Sequence, residues 1–438
     1  MNTMKENADL PRVLPQPVLE LCQRLEERGI ATWSQGEGLL DDLRGLDPLP
    51  AIGTGPGRTR CLICATSPST LLRALPRAVV TASHTRRLML ATAAGPIDLL
   101  PLGSDALEAR LLDFGLSPLA FAFRPTREEW CDPIHARAAF DRGLLDLTID
   151  SPETPRDPFE IAPRRYWIAA RLSSEYALEP TANLMQAACA ALPQVLERLP
   201  QAAPARREIH RILTSPNPQL GLAFLRRSGL SAALFPGMDP AGESWVPRLD
   251  ELPALRWAVW LRGSAIQRAL VRLRMPPALA RRIERLNRAH PIDDRVESLR
   301  EAGIRKLLSQ HPAQEINGLF AWRRLELAAA AQTEETRIRG ARLDEIEARF
   351  ETLRHQRERN RQVRELALDG RAIMAALGAG PGRHVGRALA HLALFIEANP
   401  EANERAALER ELADWAARNA LPSDGSGQQK SAGPAEIG

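Results

Sequence analysis

Lysine is almost absent from this chain of 438 residues. Lysine and arginine together number 58, yet the only lysines are Lys5, Lys306 and Lys430, so nearly all positive charge is arginine. The arginine guanidinium forms bidentate hydrogen bonds with phosphates and stacks on bases, so its abundance favours a nucleic-acid ligand. A GC-rich coding sequence produces the same bias without functional meaning, and the formal net charge is only +4.

Cysteines are few, and long apolar runs are missing. The five cysteines are odd in number and spread along the chain, which argues against a disulfide framework and for a reducing compartment. The N-terminal residues MNTMKENADLPR have no apolar stretch like that of a signal peptide, and no run approaches the length of a membrane span. We therefore expect a cytoplasmic protein with no membrane partner.

The remaining composition, with 44% hydrophobic residues, is that of a globular chain of two to four domains. Short strand and helix patterns alternate to about residue 150, and from Asp157 helical periodicity dominates as far as Asn419. The predicted fold class is α+β: a small mixed sheet with helices, then an all-α remainder. The predicted segments are 1–150, 151–240, 241–365 and 366–421, with a polar, disordered tail at 422–438.

Three motifs follow one another in the first segment: TWSQGEGLLDDLRG at 32–45, RCLICATSPSTLLRAL at 60–75 and GPIDLLPLG at 95–103. Their order resembles the catalytic head of the tRNA nucleotidyltransferase (class II CCA-adding enzyme) and poly(A) polymerase family. That head has a Gly-Gly loop opening a helix, a strand with Asp-x-Asp before Ala-Thr-Ser, and a strand with a third carboxylate. The resemblance implies a nucleotidyltransferase-like head followed by a helical neck, body and RNA-binding tail.

The metal-binding pair of that family is replaced here by Cys61 and Ile63. The reaction uses two magnesium ions, which prefer oxygen ligands. Isoleucine cannot ligate a metal, and the cysteine sulfur is a soft ligand poorly suited to magnesium. Losing several kcal/mol of metal stabilisation slows such a step by roughly a thousandfold or more. We expect no cofactor, and magnesium only if the site is active after all.

Other positions of the resembling motifs keep some residues and lose others. Gly36 is retained, but Glu37 replaces the second glycine of the phosphate-binding loop. A glutamate there repels a triphosphate and removes the close backbone approach that glycine allows, so we expect the loop to bind triphosphates poorly. The remaining candidate catalytic carboxylates are Asp41, Asp98 as the third carboxylate, and Asp113 in the motif that resembles Arg-Arg-Asp-Phe. The alternative reading of Asp41 is an ordinary helix residue, and that of Asp113 a residue that binds a turn.

The base-reading motif of the family, Asp-Pro-Leu-Arg-x-x-Arg, is matched only in part. Asp157 is retained, whereas Glu160 and Pro163 stand where arginines are expected. Arg164, Arg165 and Arg171 can replace those arginines only after a register shift. The candidate nucleotide-binding residues are thus Gly36, Asp157, Arg164 and Arg165.

The tail motif is better preserved. ALDGRAIMAALGAGPGRHVGRAL at 367–389 resembles the Gly-x-x-Leu-Met, Pro-Gly, Val-Gly motif of the RNA-binding tail. A glycine-rich helix entry offers backbone N–H groups to a phosphate. The candidate RNA-binding residues are Gly370, Arg371, Gly380, Gly382, Arg383 and Arg387. A tight turn between packed helices with solvated arginines is the alternative.

The pattern as a whole indicates a bacterial protein of this family whose catalytic apparatus is dismantled and which binds a tRNA or another structured RNA 3′ end. Two alternatives stay open. The chain could still add nucleotides from CTP and ATP through displaced carboxylates, namely Asp41, Asp42, Asp98 and Asp113. It could also be a non-catalytic subunit that pairs with another protein or forms a homo-oligomer.

Overall fold

The computed structural model of the chain describes residues 14–46, 60–82, 87–92, 95–103, 106–148, 159, 162–197, 202–294, 300–399 and 402–419. The chain divides into two compact units, Met1–His290 and Pro291–Gly438, which we describe separately. Asp157 and the segment predicted to be disordered, 422–438, lie outside the described residues.

A seven-stranded mixed sheet forms the start of the first unit, with strand order β3-β4-β5-β2-β1-β6-β7. Strands β2 and β5 run parallel, and the other neighbouring pairs run antiparallel. The strands are β1 (Thr32–Gln35), β2 (Arg60–Ala65), β3 (Val79–Ala82), β4 (Arg87–Thr92), β5 (Gly95–Leu102), β6 (Ala122–Arg124) and β7 (Glu129–Cys131). A two-stranded parallel pair joins β8 (Leu144–Leu145) to β9 (Glu179–Pro180).

Five helices accompany this sheet: α1 (Gln16–Glu26), α2 (Glu37–Arg44), α3 (Pro68–Ala74), α4 (Leu107–Leu112) and α5 (Ala136–Asp141). Helix α1 buries the apolar residues that its helical spacing predicts, Val18, Leu21, Cys22 and Leu25. Helix α3 begins where the Ser67 hydroxyl accepts a hydrogen bond from the Thr70 N–H, with proline in the first turn.

The two faces of the sheet are covered differently. Side chains alternate along β2, so Leu62 and Cys64 lie on one face, and Cys61 and Ile63 on the other. Helix α1 covers the first face, because Cys22 lies beside Cys64. Helix α4 covers part of the second face, where Leu111 packs with Ile63.

Helices make up the rest of the first unit: α6 (Arg164–Tyr176), α7 (Ala182–Glu197), α8 (Ala202–Thr214), α9 (Pro218–Arg227), α10 (Leu230–Leu234), α11 (Ala241–Trp245), α12 (Pro253–Trp260), α13 (Ile266–Arg272) and α14 (Pro277–Ala289). Helices α6 and α9 approach closely at Gly221, whose N–H donates to the Ser174 hydroxyl at 2.9 Å. Any side chain at Gly221 would overlap the carbonyl oxygen of Ala170, so glycine is required there.

The second unit is helical: α15 (Glu301–Gln310), α16 (Ala313–Ala329), α17 (Glu334–Glu365), α18 (Gly370–Leu377), α19 (Arg383–Ala398) and α20 (Arg405–Arg418). Helix α17 is the longest of these, and Thr333 caps its first turn. Among the described residues, no helix combines the length and the apolar character needed to cross a bilayer. The predicted α+β fold class, a small mixed sheet followed by helices, is confirmed.

Candidate active site

Cys61 and Ile63, the positions that the resemblance assigns to metal-binding carboxylates, lie on the central strand of the sheet. Cys61 on β2 is paired with Asp98 on the parallel strand β5, and with Gln35 on β1. Ile63 is paired with Leu100 and Trp33 in the same way. Directly paired residues share a face, so Cys61, Ile63 and Asp98 all face the same side of the sheet.

An apolar cluster occupies this face where the family places its metal ligands. It consists of Ile63, Leu100, Leu111 and Ala122, and only 1% of Ile63 is exposed. Partly buried apolar side chains pack around it, namely Trp33, Cys61, Leu102, Leu107, Phe114 and Cys131. These side chains provide no oxygen ligand, so the residues present do not fit a magnesium ion.

Cys61 is protonated at neutral pH. Burial raises the pKa of its thiol to about 11, while Arg87 lowers it and Asp98 raises it. A thiol binds metals as the thiolate, so Cys61 does not compensate for the lost carboxylate. Cys64 points to the opposite face of the strand and is fully buried there.

The three candidate catalytic carboxylates are held in three different environments. Asp98 is partly exposed and lies 3.9 Å from Arg87; burial raises its pKa, and Arg87 opposes that shift. Asp41 is only 2% exposed and accepts a hydrogen bond from the Tyr176 hydroxyl at 2.8 Å. Asp113 follows α4, with its carboxylate 2.7 Å from Arg110.

These carboxylates are not gathered around a common point. Across the part of the chain that the structure describes, no three His, Cys, Asp or Glu side chains form a group that could hold a metal ion. Asp42, the fourth carboxylate of the displaced set, is paired with Arg60 on β2. The displaced carboxylates therefore form no alternative metal site within the described residues.

The loop that should cradle phosphates opens helix α2. Gly36 precedes the helix with a φ of 79°, a left-handed backbone conformation that favours glycine. The Glu37 carboxylate, in the first turn, accepts hydrogen bonds from Arg171 Nη2 at 2.5 Å and from Arg211 Nη2 at 2.8 Å. The Glu37 carboxylate is thus bound by the two arginine side chains that lie beside the loop.

Two further glutamates complete what we call the charge cluster: Glu37, Arg171, Glu175, Glu208 and Arg211. Glu175 lies 2.8 Å from Arg171 Nη1 and 2.9 Å from Arg211 Nε, and Glu208 accepts from Arg171 Nε. Burial alone would lower the pKa of Arg171, but the three glutamates raise it well above its usual value. The sequence signals for this cluster are the helical spacings of Arg171 with Glu175 and of Glu208 with Arg211, which motif comparison overlooked.

Solved structures resemble the whole chain. A Bacillus stearothermophilus CCA-adding enzyme in complex with CTP matches with a TM-score of 0.60 and 18% identity, over 93% of this chain and 99% of that one. This chain has the fold of the CCA-adding enzymes. A Thermotoga maritima CCA-adding enzyme complexed with tRNA matches with a TM-score of 0.54 and 15% identity, over 92% of this chain and 96% of that one.

A structure described as a tRNA-processing enzyme in its apo form matches over 77% of this chain and 99% of its own, with a TM-score of 0.54 and 11% identity. No protein-family model matches the sequence, and no curated protein matches it. At these identities the comparisons establish the CCA-adding-enzyme fold and leave the activity to be argued from the residues.

The candidate base-reading residues of this CCA-adding-enzyme fold are dispersed. Arg164 is exposed at the start of α6, whereas Arg165 is buried and donates to the carbonyl oxygen of Asp113. Pro163 precedes α6 and so does not interrupt it. Asp157 lies outside the described residues.

The candidate RNA-binding residues lie around the first turns of α18 and α19. Gly370 begins α18, Gly382 precedes α19, and the Gly380 carbonyl lies 2.9 Å from His384 Nε2. The three candidate arginines are all exposed: Arg371, Arg383 and Arg387. Arg387 donates to Asn419 Oδ1 at 3.2 Å and lies 5.9 Å from the Trp415 ring centre.

Proposed function

We propose that this protein does not transfer nucleotides and instead binds the 3′-end region of a tRNA or another structured RNA. The observation that carries the first part is the apolar cluster around Ile63. A two-metal transfer needs carboxylates at that point on the sheet, and the chain places a buried isoleucine and a protonated cysteine there.

The charge cluster supports the same proposal. A nucleoside triphosphate needs positive partners in the loop at Gly36, whereas here Glu37 adds a negative charge and engages two arginines. An incoming triphosphate would have to displace that carboxylate and would meet its repulsion. Catalysis is therefore hindered at both the metal position and the phosphate position.

RNA binding is supported by the second unit. Exposed arginines surround the first turns of α18 and α19, and backbone N–H groups at a helix start are favourable partners for phosphate. The Thermotoga maritima enzyme that shares this fold is complexed with tRNA, which makes tRNA the first RNA to test. The protein is proposed to act in the cytoplasm without a metal cofactor.

The test is incorporation of labelled CTP and ATP into tRNA that lacks its 3′ end, in the presence of magnesium. Asp98→Ala serves as the control for contaminating host enzyme, because Asp98 is the carboxylate beside the lost pair. We expect no incorporation above the Asp98→Ala background, together with measurable binding of the same tRNA by fluorescence anisotropy in EDTA.

Each of the other outcomes would contradict the proposal and indicate a different function. Incorporation that Asp98→Ala abolishes would contradict the proposal and show an active enzyme that uses displaced carboxylates. Absence of both incorporation and tRNA binding would also contradict it and favour the partner-subunit hypothesis. Size-exclusion chromatography with light scattering would then show whether the chain pairs with itself.

A further inference from the structure

The charge cluster joins three helices of the first unit. Glu37 comes from α2, Arg171 and Glu175 from α6, and Glu208 and Arg211 from α8. The sequence separations are large, with 134 residues between Glu37 and Arg171 and 174 between Glu37 and Arg211. The cluster is thus a tertiary feature that holds the opening turn of α2 against the helices that follow the sheet.

One part of the charge cluster is buried, and the other part is partly exposed to solvent. The Arg171 side chain is 2% exposed and that of Glu175 is fully buried, whereas 23% of the Glu37 side chain is exposed. Buried charges are stable only when they are paired and hydrogen bonded, so the two arginines depend on nearby anions. Glu37 and Glu208, each with 23% of the side chain exposed, are the anions at the solvent side.

The surroundings of the Glu37 carboxylate stabilise a negatively charged group. The side chain extends from the first turn of α2, where no side chain caps the helix and the helix dipole is positive. Arg171 Nη2 and Arg211 Nη2 converge on its two oxygens, one on Oε1 and the other on Oε2. Two guanidinium groups and a helix start together are the partners that proteins use for phosphate.

We propose that Arg171, Arg211 and the first turn of α2 form a phosphate-binding site whose ligand in this chain is its own Glu37 carboxylate. Glu37 acts as an internal ligand that holds the three helices together and keeps polyphosphates out. This inference concerns the first unit and does not depend on the binding of RNA.

Charge balance predicts what happens when Glu37 is removed. The cluster holds three carboxylates and two guanidinium groups. Without Glu37, Arg171 Nη2 loses its carboxylate partner, while Glu175 and Glu208 continue to hold the other Arg171 nitrogens. Arg211 Nη2 loses Glu37 but keeps its hydrogen bond to Glu175 at 3.0 Å. A polyphosphate can then replace the missing carboxylate from the solvent side.

The experiment uses the full chain with Glu37→Gly and inorganic tripolyphosphate as the probe, without magnesium. We expect the variant to melt at a lower temperature than the wild type, and tripolyphosphate to restore much of that loss. By isothermal titration calorimetry, the variant should bind tripolyphosphate at least about tenfold more tightly than the wild type, the change expected for one charge-assisted contact. Adding Arg211→Gln should abolish that gain.

Glu26→Ala is the matched control. The Glu26 side chain is 24% exposed and pairs with Arg124 and Arg127, so its exposure and its charge partners resemble those of Glu37, but it lies at the C-terminal end of α1 and not at a helix start. Its loss of stability should not respond to tripolyphosphate. If Glu37→Gly does not fold, Glu37→Ala, which has the better helix propensity, takes its place.

Two results would overturn the inference. One is a folded Glu37 variant that binds tripolyphosphate no better than the wild type. The other is equal restoration of the Glu26→Ala variant, which would show a general salt effect. Because tRNA binding is measured separately, a failure here leaves the proposed function standing, and a failure of tRNA binding leaves this inference standing.

Discussion

Ile63 is a core residue at the position that the resemblance assigns to a metal-binding carboxylate. A carboxylate on this strand would project into the space that Leu100, Leu111 and Ala122 now share with the isoleucine. Apolar neighbours stabilise the isoleucine and would strongly destabilise a charge. The residues packed around position 63 therefore favour isoleucine over a carboxylate.

Ile63→Asp should destabilise the protein severely and restore no activity. Burying a carboxylate in this cluster is expected to lower the free energy of unfolding by about 3 kcal/mol or more. Urea unfolding followed by circular dichroism measures the loss. The pKa of the new carboxyl would be raised in the folded state, so the loss should be largest at neutral pH, should shrink as the pH falls toward about 4, and should be smallest below that pH.

Ile63→Val is the control, because it removes one methylene group and should cost only about 1 kcal/mol. If Ile63→Asp unfolded no more easily than Ile63→Val, the apolar surroundings described here would be wrong.

At the scale of elements, helix α2 is fastened by more than the charge cluster. The Tyr176 hydroxyl at the end of α6 donates to the buried Asp41 carboxylate, and it lies 3.2 Å from the Glu37 carbonyl oxygen. The aspartate that the family comparison suggested as a catalytic remnant thus has a structural contact in this chain. The helix reading of Asp41 is supported by that contact.

Tyr176→Phe should lower the free energy of unfolding by about 1–2 kcal/mol, since the lost hydrogen bond goes to a buried carboxylate. Tyr166→Phe is the comparison: its hydroxyl donates over 3.3 Å to the neutral carbonyl of Ser228, so its loss should be smaller. Thermal unfolding of the two variants measures both losses of stability. A larger effect for Tyr166→Phe would contradict the role given to Tyr176.

Local patterns predicted the elements better than they predicted the site. The sequence indicated short strand and helix patterns to about residue 150 and helices from Asp157, and the structure has its seven-stranded sheet in the first of these regions. Strand β7 is three residues long and was not predicted, because so short a strand has no period to detect. The absence of carboxylates at positions 61 and 63 was visible directly in the sequence.

The partners of Glu37 could not be predicted in this way. Its effect on a phosphate was foreseen from charge alone, but Arg211 lies 174 residues further along the chain. Only the packing of α2, α6 and α8 brings the two side chains together. The sequence contains the helix spacing of each pair within α6 and α8, and nothing that relates those pairs to the loop.

At the scale of the whole molecule, arginine is spread over surfaces of two kinds. On α17, exposed Arg337 and Arg349 pair with glutamates one turn away, Glu334 and Glu345. Such pairs largely cancel, and exposed pairs contribute little. Around the first turns of α18 and α19 the exposed arginines stand beside glycines instead. The two surfaces should therefore respond differently to RNA.

The triple variant Arg371→Ala, Arg383→Ala and Arg387→Ala should weaken tRNA binding and flatten its salt dependence. Each lost phosphate contact is expected to reduce the slope of log K against log salt by about 0.7 to 0.9. Fluorescence anisotropy titrations at several salt concentrations measure both quantities. The double variant Arg305→Ala and Arg337→Ala, whose arginines pair within their own helices, should leave the slope unchanged.

The apolar cluster also limits how this lineage could evolve. Metal-dependent transfer on this sheet would need carboxylates at positions 61 and 63, but an aspartate at position 63 would enter a space fitted to a branched hydrocarbon. Leu100 and Leu111 would have to change first, and those changes alone would leave a cavity around the isoleucine. Each first step is therefore disfavoured, so the proposed inactive state is hard to reverse by single substitutions.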